Sequence, residues 1–286
     1  MIRAAAQRQE ARIMESSPLA VSEWSDGYWR VTFDNPPINL VDPETIVALS
    51  ALLDRLEADP AVKVVVFDSA DEDFFLAHFD VARADRLPRE PGPTGLPILA
   101  DLATRLTAAR FVTIAEIRGR ARGLGSEFAL ALDMRFASRE RAVFGQPEIG
   151  LGLIPGGGAT EALPALVGRS RALEIVLGGD DFDADTAQQY GWINRALPDA
   201  ELATFVDRLA RRIASFDQDA LVTAKELVTE RAGVPSGEQR VEALVAFREA
   251  SARPGTQQRV RDALEQGLQQ RGDFELDLGA RIGPAV

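Results

Sequence analysis

A chain of 286 residues can bury a sizeable core, and it suits one large domain, or a domain with an appendage, better than several independent ones. An apolar fraction of 46% and a charged fraction of 27% are those of a globular protein, and no apolar run approaches the length of a bilayer span. The net charge of −12 opposes nonspecific nucleic-acid binding, which needs a basic surface. With no cysteine and one histidine, the chain excludes disulfides, thiol nucleophiles and thiolate or histidine-rich metal sites, and it fits a reducing cytoplasm.

Residues 1–17 carry arginines and alanines without a long apolar stretch, and are expected to form a flexible N-terminal extension rather than a secretory signal. A hairpin follows, in which residues 20–24 and the β-branched and aromatic run 28–33 flank the turn Ser25-Asp26-Gly27. Asp42-Pro43-Glu44 reads as an N-cap with proline at the first helical position, and Ile46, Leu49, Leu52, Leu53 and Leu56 recur behind it at helical spacing. The pattern then predicts a buried strand over 63–68, a helix over 97–109, a strand over 112–117, a glycine-broken turn, a helix over 126–132 and a strand over 134–137. Strands alternating with helices imply parallel strands with helical crossovers, hence an α/β core over 18–198. From Asp199 strand signals vanish. Four helical stretches near 200–214, 218–231, 237–251 and 256–270 predict a helical C-terminal region over 199–286. Its apolar faces, Leu202, Phe205, Leu209 and Ile213 and then Leu221, Leu227 and Val228, exceed what one core needs, which points to contacts between subunits.

Two glutamates carry the chemistry. Glu127 and Glu148 each stand beside a glycine-rich turn, Arg122-Gly123-Leu124-Gly125-Ser126-Glu127 and Gly145-Gln146-Pro147-Glu148. A carboxylate beside free backbone N–H groups can move a proton next to an anion that the backbone stabilises, as thioester chemistry requires. The chain therefore reads first as an enzyme. A dinucleotide fingerprint fails because Phe128 stands where a third glycine is needed, and no Gly-Lys-Ser or Gly-Lys-Thr phosphate loop exists. Gly156-Gly157-Gly158, taken alone, reads as a flexible entry to a helix.

Three stretches in order, Phe75-Leu76-Ala77-His78-Phe79-Asp80, Gly119 to Ala131 and Phe144 to Gly152 running on to Pro155-Gly156-Gly157-Gly158, resemble the crotonase (enoyl-CoA hydratase/isomerase) superfamily. Thr32-Phe33-Asp34-Asn35-Pro36, Ala187 to Asn194 and Arg271-Gly272-Asp273-Phe274 look like further landmarks of that family. The resemblance implies a crotonase-like spiral of ββα units with a helical C-terminal region that assembles a homotrimer or dimer of trimers. It also implies an acyl-CoA substrate, with coenzyme A as part of that substrate and no metal or separate cofactor. By position, the N–H groups of Phe79 and Leu124 would form the oxyanion hole, and Glu127 and Glu148 would hold a water and add it across a double bond. Ala77, His78, Asp80, Gly123, Pro147 and Gly156 would surround the substrate. A helix N-terminus favours an anion on general grounds, which supports the Leu124 assignment independently.

Three positions depart from the family pattern. His78 stands for a glycine and reads as a structural hydrogen-bonding residue ahead of a substrate contact. Phe79 and Leu124 keep their N–H donors while adding bulk near the acyl group. Both glutamates favour a lyase that hydrates over an isomerase, for which one carboxylate can suffice. A non-catalytic acyl-CoA-binding protein is the rival of another class. A serine-type reaction through Ser126 and His78 is disfavoured, because helix capping accounts for Ser126.

Overall fold

The computed structural model describes residues 17–283, so the expectation for 1–17 falls, Ser17 apart, outside the described residues. Strands β1 (Leu19–Ser25) and β2 (Tyr28–Phe33) form the predicted antiparallel hairpin. Its turn needs Gly27, which lies at φ +74°, where an added Cβ would come within 2.7 Å of the Ala61 carbonyl oxygen. Helix α1 (Pro43–Ala58) begins as its sequence dictates, with the Asp42 carboxylate accepting from the Thr45 N–H at 2.8 Å. β3 (Val64–Ser69), β5 (Val112–Ile117), β7 (Met134–Ser138) and β10 (Arg195–Leu197) then join β2 in parallel, giving a six-stranded sheet in the order β1-β2-β3-β5-β7-β10.

A second sheet escaped the reading of the sequence. β4 (Phe74–Leu76), β6 (Arg120–Arg122), β8 (Val143–Gly145) and β9 (Asp181–Asp183) have three residues each, too short for any alternation to register, and they pair in that order. Each turn of the chain thus supplies one long strand to the first sheet and one short strand to the second before a helix. Those helices are α2 (Ile98–Ala108), α3 (Leu124–Ala131) and α4 (Ala159–Val167). This is the spiral of ββα units.

The elements inside the spiral are locked by aromatic packing. Phe128 of α3 meets Phe33 and Phe67 edge-on at 5.3 Å between ring centroids, and Phe33 meets Phe75 at 5.8 Å. Arg135, fully buried, donates to the carbonyls of Ala129 and Leu132 and so satisfies the C-terminal end of α3. After α5 (Arg169–Gly178) and α6 (Ala184–Tyr190), helix α7 (Asp199–Ala214) covers the other face of the large sheet. It packs Leu202, Val206 and Ala210 on Tyr28, Val64 and Ile114, with Phe205, Leu209 and Ile213 at the margin. The apolar face of α7 is therefore used by its own core, contrary to the expected surplus there. The surplus lies on α8 (Gln218–Arg231), which buries no residue and leaves Leu227 and Val228 exposed.

Helices α9 (Gly237–Ser251) and α10 (Pro254–Gln266) fold back against α2, α4 and the turn Pro147–Leu151, and the short α11 (Asp273–Leu276) and α12 (Leu278–Arg281) reach the small sheet at Phe74 and β9. The last long helix stops at Gln266, short of the expected 270, because Gly267 turns left-handed at φ +113° and closes it.

Candidate active site

The first loop hangs on an isolated bridge to Val41. The Val41 N–H donates to the His78 carbonyl at 2.9 Å and the Asp80 N–H donates to the Val41 carbonyl at 3.2 Å. Alternation along an extended chain then turns the Phe79 N–H to the opposite side, where it has no hydrogen-bond partner among the described residues. Asp80 fixes the exit: its carboxylate accepts from the N–H groups of Ala82 and Arg83 and from Gln269 Nε2 at 2.6 Å. The Ala77 N–H is spent on the Asn39 carbonyl.

The second loop supplies the matching donor. Gly123, at φ +47° and ψ −127°, precedes α3, and Leu124 is the first helical residue, so its N–H has no acceptor within the helix. An added Cβ on Gly123 would lie 2.7 Å from Glu148 Oε1 and 3.4 Å from His78 Cβ. Gly125 lets α3 lie directly against β4, since a Cβ there would sit 2.2 Å from the Leu76 carbonyl oxygen. That close approach brings Phe79 and Leu124 to the wall of one cavity, of about 590 Å³ counting its open mouth. The cavity is lined by His78, Phe79, Leu124, Glu127, Pro147, Glu148 and Gly156 among the expected residues. Ala77, Asp80 and Gly123 stand behind its wall instead of on it. Helix α3 starts at Leu124, two residues earlier than expected, so Ser126 is not its cap; its hydroxyl is buried without a partner.

Against this geometry the comparisons with known proteins decide the family. The sequence profile of the enoyl-CoA hydratase/isomerase family matches residues 23–268. The chain belongs to that family. A crotonyl-CoA hydratase of Syntrophomonas wolfei is 32% identical over 206 residues, which cover 70% of this chain and 77% of that protein. A short-chain-enoyl-CoA hydratase of Clostridium acetobutylicum is 30% identical over 199 residues, covering 69% and 76%. Among solved structures, a candidate enoyl-CoA hydratase from Streptomyces avermitilis is 44% identical with a TM-score of 0.87, covering 93% of this chain and 96% of that one.

In this family member the two glutamates differ in their surroundings. Glu127 is buried on α3, and its Oε1 accepts from the N–H groups of Gly157 at 2.8 Å and Ala159 at 3.0 Å. The glycine run is therefore more than a flexible helix entry. A Cβ at Gly157 would come within 2.5 Å of Leu124 Cδ1 and 2.6 Å of Glu127 Oε2, so glycine is what lets the backbone cradle the carboxylate. Desolvation pushes the Glu127 carboxyl up to about 7, with the Glu161 charge adding to it and the two N–H donors opposing it. Glu148 stands on the short 3₁₀ turn Pro147–Leu151, with Oε2 buried and unpartnered. Desolvation, reinforced by the charge of Glu127, holds it well above the carboxylate range.

This arrangement costs stability. A carboxyl whose folded value is raised favours the folded state below its unfolded value, 4.5, and loses that contribution as pH rises through about 7. At about 1.4 kcal/mol per pKa unit the loss is roughly 3 kcal/mol above neutrality. Glu127→Gln keeps an oxygen acceptor for both N–H groups but never ionises. Its melting temperature is expected to exceed that of the wild type at pH 8 and to match it near pH 4, as calorimetric scans across pH would show.

Further cavity walls come from far along the chain: Leu244 and Phe247 of α9, Leu278 of α12 and Ile282. Phe247 packs edge-on against Phe79 at 6.0 Å between centroids and touches the position where Gly156 lacks a Cβ. Nothing local in the sequence marks these residues. Among the described residues there is no cluster of His, Asp and Glu able to hold a metal ion, and no helix is long and apolar enough to cross a membrane.

Proposed function

We propose that this enzyme adds water to the double bond of an enoyl-CoA thioester. The observation that carries the reading is a pair of buried carboxyls, Glu127 held by two backbone N–H groups and Glu148 with an unpartnered oxygen, facing one cavity with two unpartnered backbone N–H donors. The thioester carbonyl accepts from the N–H groups of Phe79 and Leu124. Glu127, whose two backbone donors favour its anion, takes a proton from water as the hydroxyl adds to the β-carbon. The electron pair of the double bond moves onto the carbonyl oxygen as an enolate. Glu148, held protonated by its dry surroundings, gives its proton to the α-carbon as the enolate collapses, and the proton on Glu127 returns to Glu148 through solvent. Coenzyme A enters as part of the substrate. The named relatives that hydrate crotonyl-CoA and short-chain enoyl-CoA support this reading.

The test is a panel of short, medium, branched and aromatic enoyl-CoA esters followed by mass spectrometry. Gain of one water is expected for at least one ester. Movement of the double bond without a mass change would replace hydration by isomerisation. Tight binding without conversion of any ester would make the chain a binding protein.

The walls Val81, Leu99, Leu124, Leu244 and Phe247 fit an apolar acyl group, and Leu124 adds bulk beside its own donor. Leu124→Gly keeps the N–H and removes that bulk, at a helix cost of about 1 kcal/mol. It is expected to stay active and to raise relative kcat/KM for the bulkier esters; a folded but inactive variant would assign the leucine side chain a role of its own.

Assembly as a homotrimer or dimer of trimers is supported by α8, where Val228 is 68% and Leu227 46% exposed, with Phe216 just before it at 43%. Light scattering at micromolar concentration is expected to give a trimer or hexamer mass, and a monomer would overturn it. A cysteine-free chain suits a cytoplasmic setting.

A further inference from the structure

His78 is a group the reaction above does not use, and its bonding is unusual. Nδ1 lies 2.9 Å from the Phe79 carbonyl oxygen and Nε2 lies 2.8 Å from Glu275 Oε1. A carbonyl oxygen can only accept, and so can an ionised carboxylate. With Glu275 ionised both ring nitrogens donate, and the ring is an imidazolium. Glu275 has the surroundings of an anion: its Oε1 also accepts from the Gln269 N–H at 2.5 Å, and the Arg122 guanidinium lies alongside, bonded to the Glu275 carbonyl at 2.6 Å. Burial alone would push the His78 imidazole down, but the Glu275 charge and hydrogen bond outweigh it and raise it; Glu275 is correspondingly lowered despite its burial.

The position of this pair gives it a task. His78 immediately precedes the Phe79 donor and lines the cavity, whereas Glu275 sits on α11, 197 residues later, and does not. Glu275 belongs to the segment that carries the cavity-lining Leu278 and Ile282. We propose that the His78–Glu275 pair is a clasp that positions the loop bearing the Phe79 donor against the C-terminal roof, so that donor placement and cavity closure are set together. The inference rests on the reading of Phe79 as an oxyanion donor. Neighbouring contacts act along the same seam: Gln269 Nε2 donates to Asp80, and Arg120 Nε donates to the Leu276 carbonyl at 3.0 Å. The charged groups around the ring are Glu275 from α11, Arg122 from β6 with its partner Asp181, Asp80 from the loop itself, and Glu148, whose carboxylate lies, like His78 Cβ, beside the position that a Cβ on Gly123 would take.

His78 is the single histidine of the sequence, so its ring nitrogens can be read without ambiguity in ¹⁵N-labelled, untagged protein. The expected spectrum at pH 7.5 is that of a doubly protonated ring, and in Glu275→Gln the His78 titration moves to lower pH by at least about one unit, since a unit is the typical scale of a lost neighbouring charge. Glu275→Gln and His78→Gln, folded by circular dichroism, are expected to lose about tenfold to a hundredfold in kcat through donor misplacement. They should also bind a saturated acyl-CoA more weakly by calorimetry, and the double variant should lose much less than the product of the two losses. A neutral ring in the wild type at neutral pH overturns the clasp, as does a folded Glu275→Gln that binds and turns over like the wild type. If the wild type hydrates no ester, the functional reading fails, while the ring titration and the binding of the saturated thioester still judge the clasp.

Discussion

Glu127→Gln and Glu148→Gln each lower turnover of an accepted enoyl-CoA by at least about a hundredfold, the range that general acid–base groups contribute. Glutamine preserves the volume of glutamate and an oxygen acceptor, but exchanges no proton near neutrality. The Gly157 and Ala159 donors to residue 127 are therefore kept, and ligand binding and oligomer state should change little. In the proposed addition the two residues serve one reaction, so the double variant is expected to lose far less than the product of the single losses. Steady-state kinetics on purified single and double variants measures this directly. Loss confined to Glu148→Gln would identify a single-base isomerisation, and two fully active variants would end the mechanism argued above.

Gly123→Ala is the most damaging change expected in the backbone of the site. At φ +47° and ψ −127° the residue occupies a region that a Cβ disfavours at about 1–3 kcal/mol. The new methyl group would also press on Glu148 Oε1 from 2.7 Å. Relief requires the turn to rotate, which carries the Leu124 N–H away from the carbonyl oxygen it should meet. One such donor is worth about a hundredfold to a thousandfold in kcat. We expect a loss of that size in kcat with a smaller change in KM, in a variant that circular dichroism shows to be folded. An unchanged kcat would remove Leu124 from the oxyanion hole.

What the sequence by itself determined is what local chemistry encodes. Asp42 and Pro43 set the start of α1, β-branched runs set β2, β3 and β5, and the loss of strand signal after Asp199 marked the helical C-terminal region, because backbone dihedrals and periodic burial are written within a few residues. The glycine-flanked glutamates were legible for the same reason: each motif is contiguous. The tertiary structure alone decided which distant segments meet. Three-residue strands leave no pattern, so the small sheet that aligns both loops was invisible. Phe247, Leu278 and Ile282 complete the cavity, and Glu275 charges His78, only because the C-terminal helices fold back onto the core. The proton affinities of Glu127 and Glu148 are likewise tertiary facts. A glutamate in isolation is an ordinary acid, and it becomes a proton carrier near neutrality when packing strips its water and places a second carboxylate beside it.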